Sequence, residues 1–337
     1  MATIVDVAKR AGVSIKTVSR VMNDHAYVRD DTRQRVTAAM RDLGYAPSDA
    51  ARRMRTGKSQ LIGMLYGDPS SGYQSRLNHA MLQACSGAGT YLAAGLFDEQ
   101  RGEWREQLEA FLDRTRADKM ILVPPMCNAT FLHETLAQRN IRYVLISPSV
   151  VSSKTLSVAM DDQQAAREIT QYLIELGHRR IGHISGDPQH VASLLRRQGY
   201  EEALVESGIG LPGGQYVTEG RFDFKRALIA AEEMLNLDEP PTAIFAASDD
   251  MAAATLIAAG KLGLSVPGDV SIVGFDDAPI AQTIWPSLTT VAQPFQGMAD
   301  AAVKLLNASD DQLSSADKQI LIPHKIAFRD SCSPPKA

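Results

Sequence analysis

Five side chains near the amino terminus are of the types that read the edge of a base pair. Ile15, Lys16, Thr17, Ser19 and Arg20 lie within six positions of one another, so on a helix they would crowd its first turns. Arg20 can bond bidentately to guanine, Lys16 can meet guanine or a phosphate, and Ile15 can pack on a thymine methyl. Side chains so placed suit a recognition helix in a major groove, although a solvated face of any small helical domain has a similar composition.

Holding that face requires two helices and a turn. Val7, Ala8 and Ala11 keep a helical spacing up to Gly12, and Val18, Val21 and Met22 resume it after Ser14. Gly12 can take the left-handed conformation that closes the first helix, and Ser14 can cap the second by accepting a backbone N–H. After a polar loop, Asn23 to Asp31, Thr32 can cap a third helix through Val36, Ala39, Met40 and Leu43 to Gly44, packing on Val7, Val18 and Val21. Arg33 and Arg35 are then either phosphate contacts or solvated charge. Pro47, the potential cap Ser48 and the helix formers up to Gly57 read as a short arginine-rich helix that needs a polyanion and a partner to order it.

The charge distribution agrees. Residues 1–58 hold 12 Lys and Arg against 6 Asp, so this head carries +6 and the rest of the 337-residue chain −10. A basic head on an acidic body suits a polyanion bound by the head alone. Beyond Leu61 short apolar strands alternate with helices. Strands are expected at 61–66, 91–97, 120–124, 143–147, 157–160, 180–185, 243–247, 270–275 and 288–292, and helices at 163–176, 194–207, 226–235, 250–262 and 296–306. Such alternation calls for parallel sheets covered on both faces, and some 270 residues of it exceed one open sheet.

These motifs resemble the LacI/GalR family of bacterial transcription regulators. The resemblance is carried by Asp6-Val7-Ala8, Ala11-Gly12-Val13-Ser14, Thr17-Val18-Ser19-Arg20-Val21 and Asn23. It continues through Leu176-Gly177-His178-Arg179-Arg180-Ile181, Arg196 to Tyr200, Ser248-Asp249-Asp250-Met251-Ala252, Val273-Gly274-Phe275-Asp276-Asp277 and Pro286-Ser287-Leu288. It implies an all-α helix-turn-helix head over 1–46, a hinge helix within 47–60, and an α/β effector and dimerisation domain over 61–337. That domain would have the two-lobed, type I periplasmic-binding-protein-like fold, with an N-lobe of about 61–160 and 291–320, a C-lobe of about 161–290 and 321–331, and three crossovers between them. Thr3, Ser14, Ile15, Lys16, Thr17, Ser19, Arg20 and Asn23 would face operator DNA from the head, and Ser48, Ala51, Met54 and Arg55 from the hinge. Met54 stands where members usually wedge a leucine between base pairs, and Ser48 where many have asparagine.

In the cleft the resemblance gives Arg196 the role of gripping effector hydroxyls or a carboxylate, and Phe222 that of stacking on a sugar ring. Asp249 and Asp276 follow strands whose ends would face the cleft, though the first could cap the helix that follows and the second fix a turn. Phe222 could equally be core. Tyr73 could close the cleft from the N-lobe or lie exposed, and Trp285 could line the pocket or a lobe interface.

The function this implies is a sequence-specific repressor of carbohydrate utilisation, a homodimer on a palindromic operator controlled by a small-molecule effector, with a sugar the effector expected and a purine or nucleoside corepressor the alternative. A sensor whose amino-terminal helices contact protein is the competing class. No cofactor or metal is expected, and no enzyme: Gly208 to Gly213 fits G-x-G-x-x-G but follows a helix, G-x-S-x-G and H-E-x-x-H do not occur, and the histidines lack metal spacing. Cys85, Cys127 and Cys332 read as reduced thiols. With no apolar run of about 18 residues and no leader pattern, a cytoplasmic protein without membrane contact is expected.

Overall fold

The computed structural model describes residues 2–22, 25, 27–45, 60–67, 71–98, 101–150, 152, 155–211, 213–314 and 316–336. The chain divides into two compact units at Gln60 and Leu61.

The first unit contains α1 (Ile4–Ala11), α2 (Ile15–Met22) and α3 (Asp30–Asp42). Thr3 and Asp6 start α1 with a reciprocal cap: the Thr3 hydroxyl accepts the Asp6 N–H at 3.3 Å, and the Asp6 carboxylate accepts the Thr3 N–H at 2.9 Å. Gly12 ends α1 at φ +65°, and the Ser14 hydroxyl accepts the Thr17 N–H at 3.1 Å to begin α2. Apolar spacing then decides the packing: Val7, Val18 and Val36 are fully buried, with Ala8, Ala11, Val21 and Ala39 around them. Each buried valine contributes about 1.5–3 kcal/mol by its removal from water. Thr32 is not the cap expected of it. Helix α3 begins two residues earlier, Asp30 and Asp31 supply negative charge to its first turn, and the Thr32 hydroxyl donates to Asp31 at 3.3 Å.

The second unit is built on two six-stranded sheets. Its elements in chain order are β1 (Leu61–Tyr66), α4 (Gly72–Gly87), β2 (Tyr91–Leu96), α5 (Trp104–Thr115), β3 (Lys119–Leu122), α6 (Thr130–Gln138), β4 (Arg142–Ile146), β5 (Ser157–Ala159), α7 (Asp162–Glu175), β6 (Ile181–Ser185), α8 (Val191–Glu206), β7 (Val217–Glu219), α9 (Phe224–Leu235), β8 (Ala243–Ala246), α10 (Asp249–Lys261), β9 (Ser271–Asp276), α11 (Pro279–Thr283), β10 (Thr289–Ala292), α12 (Phe295–Asn307), β11 (Gln319–Leu321) and β12 (Lys325–Ala327). The first sheet runs β11-β5-β4-β3-β1-β2 and the second β12-β10-β9-β8-β6-β7. Among the described residues all pairings are parallel except β10 with β12. Burial on both faces explains why strands such as Ser271–Asp276 are buried at every position rather than alternating.

The chain passes between the sheets three times, after Ala159, after Ala292 and after Leu321. Val291 and Ala292, expected in the N-lobe, instead pair with Phe275 and Asp276 in the second sheet. Leu321, expected in the C-lobe, pairs with Ala159 in the first sheet. Helix α12 returns to the first lobe, where Phe295, Met298, Ala299, Ala302 and Leu306 join the core of β1, β3 and α4. In each sheet the strand order reverses beside one strand, β1 in the first and β6 in the second. Parallel sheets gather ligands at the carboxyl ends of the strands flanking such a reversal.

Candidate nucleic-acid interface and effector cleft

On α2 the core-facing Val18 and Val21 fix which side is turned to solvent, and that side carries Ile15, Lys16 and Arg20 exposed, with Thr17 and Ser19 half-buried. Ile15 is 48% exposed although nothing in the head's own core needs it there. An exposed apolar residue beside two cations is what contact with a thymine methyl and neighbouring polar edges calls for. Ser14 and Thr17 hydroxyls bond to each other at 2.9 Å, so the first turn of α2 is braced. Thr3 is exposed but spends its hydroxyl on the cap of α1. Arg33 donates to the carbonyl of His25 at 3.1 Å, which ties the loop before α3. Asn23, Ser48, Ala51, Met54 and Arg55 lie outside the described residues.

The second unit encloses a cleft of about 750 Å³ at the carboxyl ends of both sheets. Gly67, Ser71 and Pro124 come from loops after β1 and β3, and Asp187, His190 and Ser248 from those after β6 and β8, as the strand reversals require. Tyr73, Arg196, Phe222 and Asp276 line it.

Arg196 organises the floor. Buried to 4% exposure, its Nε and Nη2 both stand 2.8 Å from one oxygen of Asp162, and Nη1 donates to the Ala247 carbonyl at 2.6 Å. The Phe275 ring lies beneath the guanidinium, 3.6 Å from its carbon. Asp276 is 3.8 Å from Nη1 and accepts from Gln293 Nε2 at 2.6 Å. Burial pushes the Asp276 carboxyl up to about 7, against the lowering effects of Arg196 and Gln293. Burial likewise pushes the Tyr73 phenol up and the His190 imidazole down. Asp162 opens the helix after the first crossover and Gln293 lies in the second, so the floor is wired to two of the three connections.

Two expected site residues are elsewhere. Trp285 is 81% exposed and does not line the cleft. Asp249 is fully buried: one oxygen accepts the Thr290 hydroxyl and the other the Ala278 N–H, both at 2.6 Å. Ser248, not Asp249, caps α10. Gly274 makes room for this carboxylate, since a Cβ there would come within 2.2 Å of it. The neighbouring Asp250 is the one that faces the cleft. Sequence reasoning also missed Asp98, Asp162, Asp187, Asp223, His190, Phe97 and Gln293 in the lining. Gly274 in the middle of a strand was the one legible signal, marking a close approach.

The cleft also collects backbone strain. Ser147, Arg221, Phe222 and Asp276 line it with φ of +47°, +54°, +57° and +114°, each disfavoured by about 1–3 kcal/mol in a residue other than glycine. Six carboxylates (Asp98, Asp162, Asp187, Asp223, Asp250 and Asp276) face two arginines, and one of these, Arg196, is engaged with Asp162. Phe222, with His190 tilted against it at 5.7 Å, and Tyr73, edge-on to Phe295 at 5.4 Å, supply apolar faces. Among the described residues no cluster of acidic, histidine or cysteine side chains could hold a metal ion, and no helix is long and apolar enough to cross a membrane.

Comparison with known proteins accords with both halves. Residues 3–48 match the model of bacterial regulatory proteins of the lacI family, and residues 170–332 that of a periplasmic binding protein-like domain. The HTH-type transcriptional repressor PurR of Proteus mirabilis (strain HI4320) is 34% identical over 307 residues, 91% of this chain and 89% of the relative. A lac repressor dimer bound to operator and the anti-inducer ONPF superposes with a TM-score of 0.81 at 26% identity, covering 98% of this chain and 99% of that one. A complex of the transcriptional regulator CelR with cellobiose gives a TM-score of 0.71 at 28% identity, covering 98% and 100%. The exposed reading face on α2, the two-sheet body and these likenesses along nearly the whole chain lead to one assignment: the protein belongs to the LacI family of bacterial transcription regulators.

Proposed function

We propose that the chain is a repressor that binds a palindromic operator as a homodimer and responds to a neutral saccharide held between its two sheets. The observation that carries the effector class is the lining itself. Aromatic faces on Tyr73, Phe97 and Phe222 suit the apolar sides of sugar rings, and six carboxylates are acceptors for hydroxyls. An anionic ligand would face that negative charge with the buried arginine already paired, so phosphorylated sugars are disfavoured. A volume of about 750 Å³ leaves room for more than one ring. On this reading the cleft binds and does not turn over its ligand, and the operator partner places the protein in the cytoplasm.

Two-fold symmetry of the dimer would put its heads on related half-sites. An effector that prefers one lobe arrangement shifts operator affinity by its differential binding, with about 1–3 kcal/mol typical. Isothermal titration against mono- and disaccharides, phosphorylated sugars, nucleobases and nucleosides tests the effector class, with tight binding of a neutral disaccharide expected. Binding of a purine alone would overturn it. Selection of bound fragments from genomic DNA, with and without the sugar that binds, tests the operator, and absence of any inverted-repeat preference would remove the repressor reading.

A further inference from the structure

We infer that Gly72, Asp250 and Ala278 form a latch that holds the two lobes together across the cleft, and that glycine at position 72 is what lets it shut. The meaning of the latch rests on the cleft being the effector site, but the contact itself can be tested with no effector present.

On the side of the first sheet, α4 begins at the cleft with Ser71 as its cap, the Ser71 hydroxyl accepting the Gln74 N–H at 3.1 Å. The Gly72 N–H is one of the donors that a helix start leaves without an intrahelical partner. It reaches across to Asp250 Oδ2, in the first turn of α10, at 3.1 Å. A carboxylate at the positive end of a helix is attracted by both the N–H and the aligned peptide dipoles. Beside this bond the backbone of Gly72 closes on Ala278: a Cβ built on Gly72 would stand 2.6 Å from the Ala278 Cβ. Neither atom can rotate away, so any side chain at 72 pushes the lobes apart.

The receiving surface is firmly built. The Ala278 N–H is held by buried Asp249, whose other oxygen is held by Thr290. The residues before it, Asp276 and Asp277, keep φ of +114° and +53°, and Arg329 grips Asp277 at 2.6 Å. One lobe thus presents a fixed seat, and the other a helix end that fits it through one hydrogen bond and one close approach. Such a contact is small enough to be made or broken by a ligand that also touches Asp250.

A clean perturbation exists because Gly72 does not need positive φ. As the first residue of α4, alanine is intrinsically better there than glycine, so a role confined to the helix predicts no opening. The test uses the full-length protein with spin labels on Glu106→Cys and Lys225→Cys, exposed positions near the cleft ends of α5 and α9, in a Cys332→Ser background. Labelled chains are diluted into unlabelled ones so that each distance is within one chain. Gly72→Ala should shift the pulsed-dipolar distance distribution to a longer, broader population without lowering the thermal midpoint. The double variant Gly72→Ala, Ala278→Gly, which relieves the Cβ collision, should return the distribution to that of the parent. An unchanged distribution in Gly72→Ala, or an opening that Ala278→Gly does not reverse, would overturn the latch. Neither result depends on the saccharide panel, so failure of the latch and failure of the effector reading remain distinguishable.

Discussion

Replacing Asp249 by alanine and by asparagine separates a structural carboxyl from a ligand-binding one. In the folded chain this group accepts two hydrogen bonds of 2.6 Å, from the Thr290 hydroxyl and the Ala278 N–H, and has no exposed surface. Burial, reinforced by the charge of Asp276, pushes its pKa up, so the site favours the neutral form over the charged one more than water does. Asparagine copies that neutral shape and keeps an acceptor oxygen, and its cost should stay below about 1.5 kcal/mol, that of one ordinary hydrogen bond. Alanine leaves two buried donors without partners at about 1–3 kcal/mol each and adds a small void. A loss of about 3–5 kcal/mol is therefore expected. Urea unfolding of the full-length protein, followed by tryptophan fluorescence at pH 7, measures both. Equal, large losses in the two variants would mean that the charge itself is needed. A loss under about 1 kcal/mol for alanine would mean that the two bonds contribute little and that the residue's assignment to scaffolding is wrong.

Three further outcomes follow from the same structure. Arg20→Ala should cost about 1–3 kcal/mol at one operator position and relax specificity there, as read by competition among operator variants; a uniform loss on all sequences would make Arg20 a phosphate contact. Gly12→Ala should destabilise the head by about 1–2 kcal/mol through its +65° φ alone, because the nearest atom to a new Cβ is 4.0 Å away; an unchanged head transition in calorimetry would contradict this. His183 is fully buried, with Nδ1 bonded to the Phe245 carbonyl at 2.9 Å, and burial lowers its pKa from 6.5 to about 4. The unfolded chain then takes the proton first, so this residue has no effect above pH 6.5 and destabilises progressively as pH falls toward 4, by about 2 kcal/mol at pH 5; His183→Phe should flatten that acid limb in denaturant titrations.

What could be read ahead of the structure was governed by range. The Ser14 cap joins residues three apart, and the left-handed Gly12 is a single-residue matter, so both were legible. Longer buried strands such as Leu61–Tyr66 announce themselves as apolar runs, whereas Val217–Glu219, Gln319–Leu321 and Lys325–Ala327 are three-residue edges with too few positions to carry a pattern. The exchange of Asp249 for Asp250 has a geometric cause: adjacent helical residues point about 100° apart, and only the sheet behind α10 decides which of them faces the ligand. The Asp162 partner of Arg196 lies 34 positions away, beyond any local rule. For Trp285 the sequence leaves the pocket and a lobe interface equally open, and the 81% exposure of the residue is decided by packing that no local pattern records.

The three passages between the sheets have a consequence for biosynthesis. The first lobe lacks α12 and β11 until residues 295–321 have been made, and the second lacks β12 and the Ser331 hydroxyl that accepts the Thr289 N–H at 2.9 Å. On the ribosome, the early-made half must therefore keep the apolar seat for Phe295 and Met298 uncovered while the other half is translated. The head, whose described helices end at Asp42, has all its core residues in hand long before then. A nascent chain of this design can complete the core of its helical head well before that of either lobe.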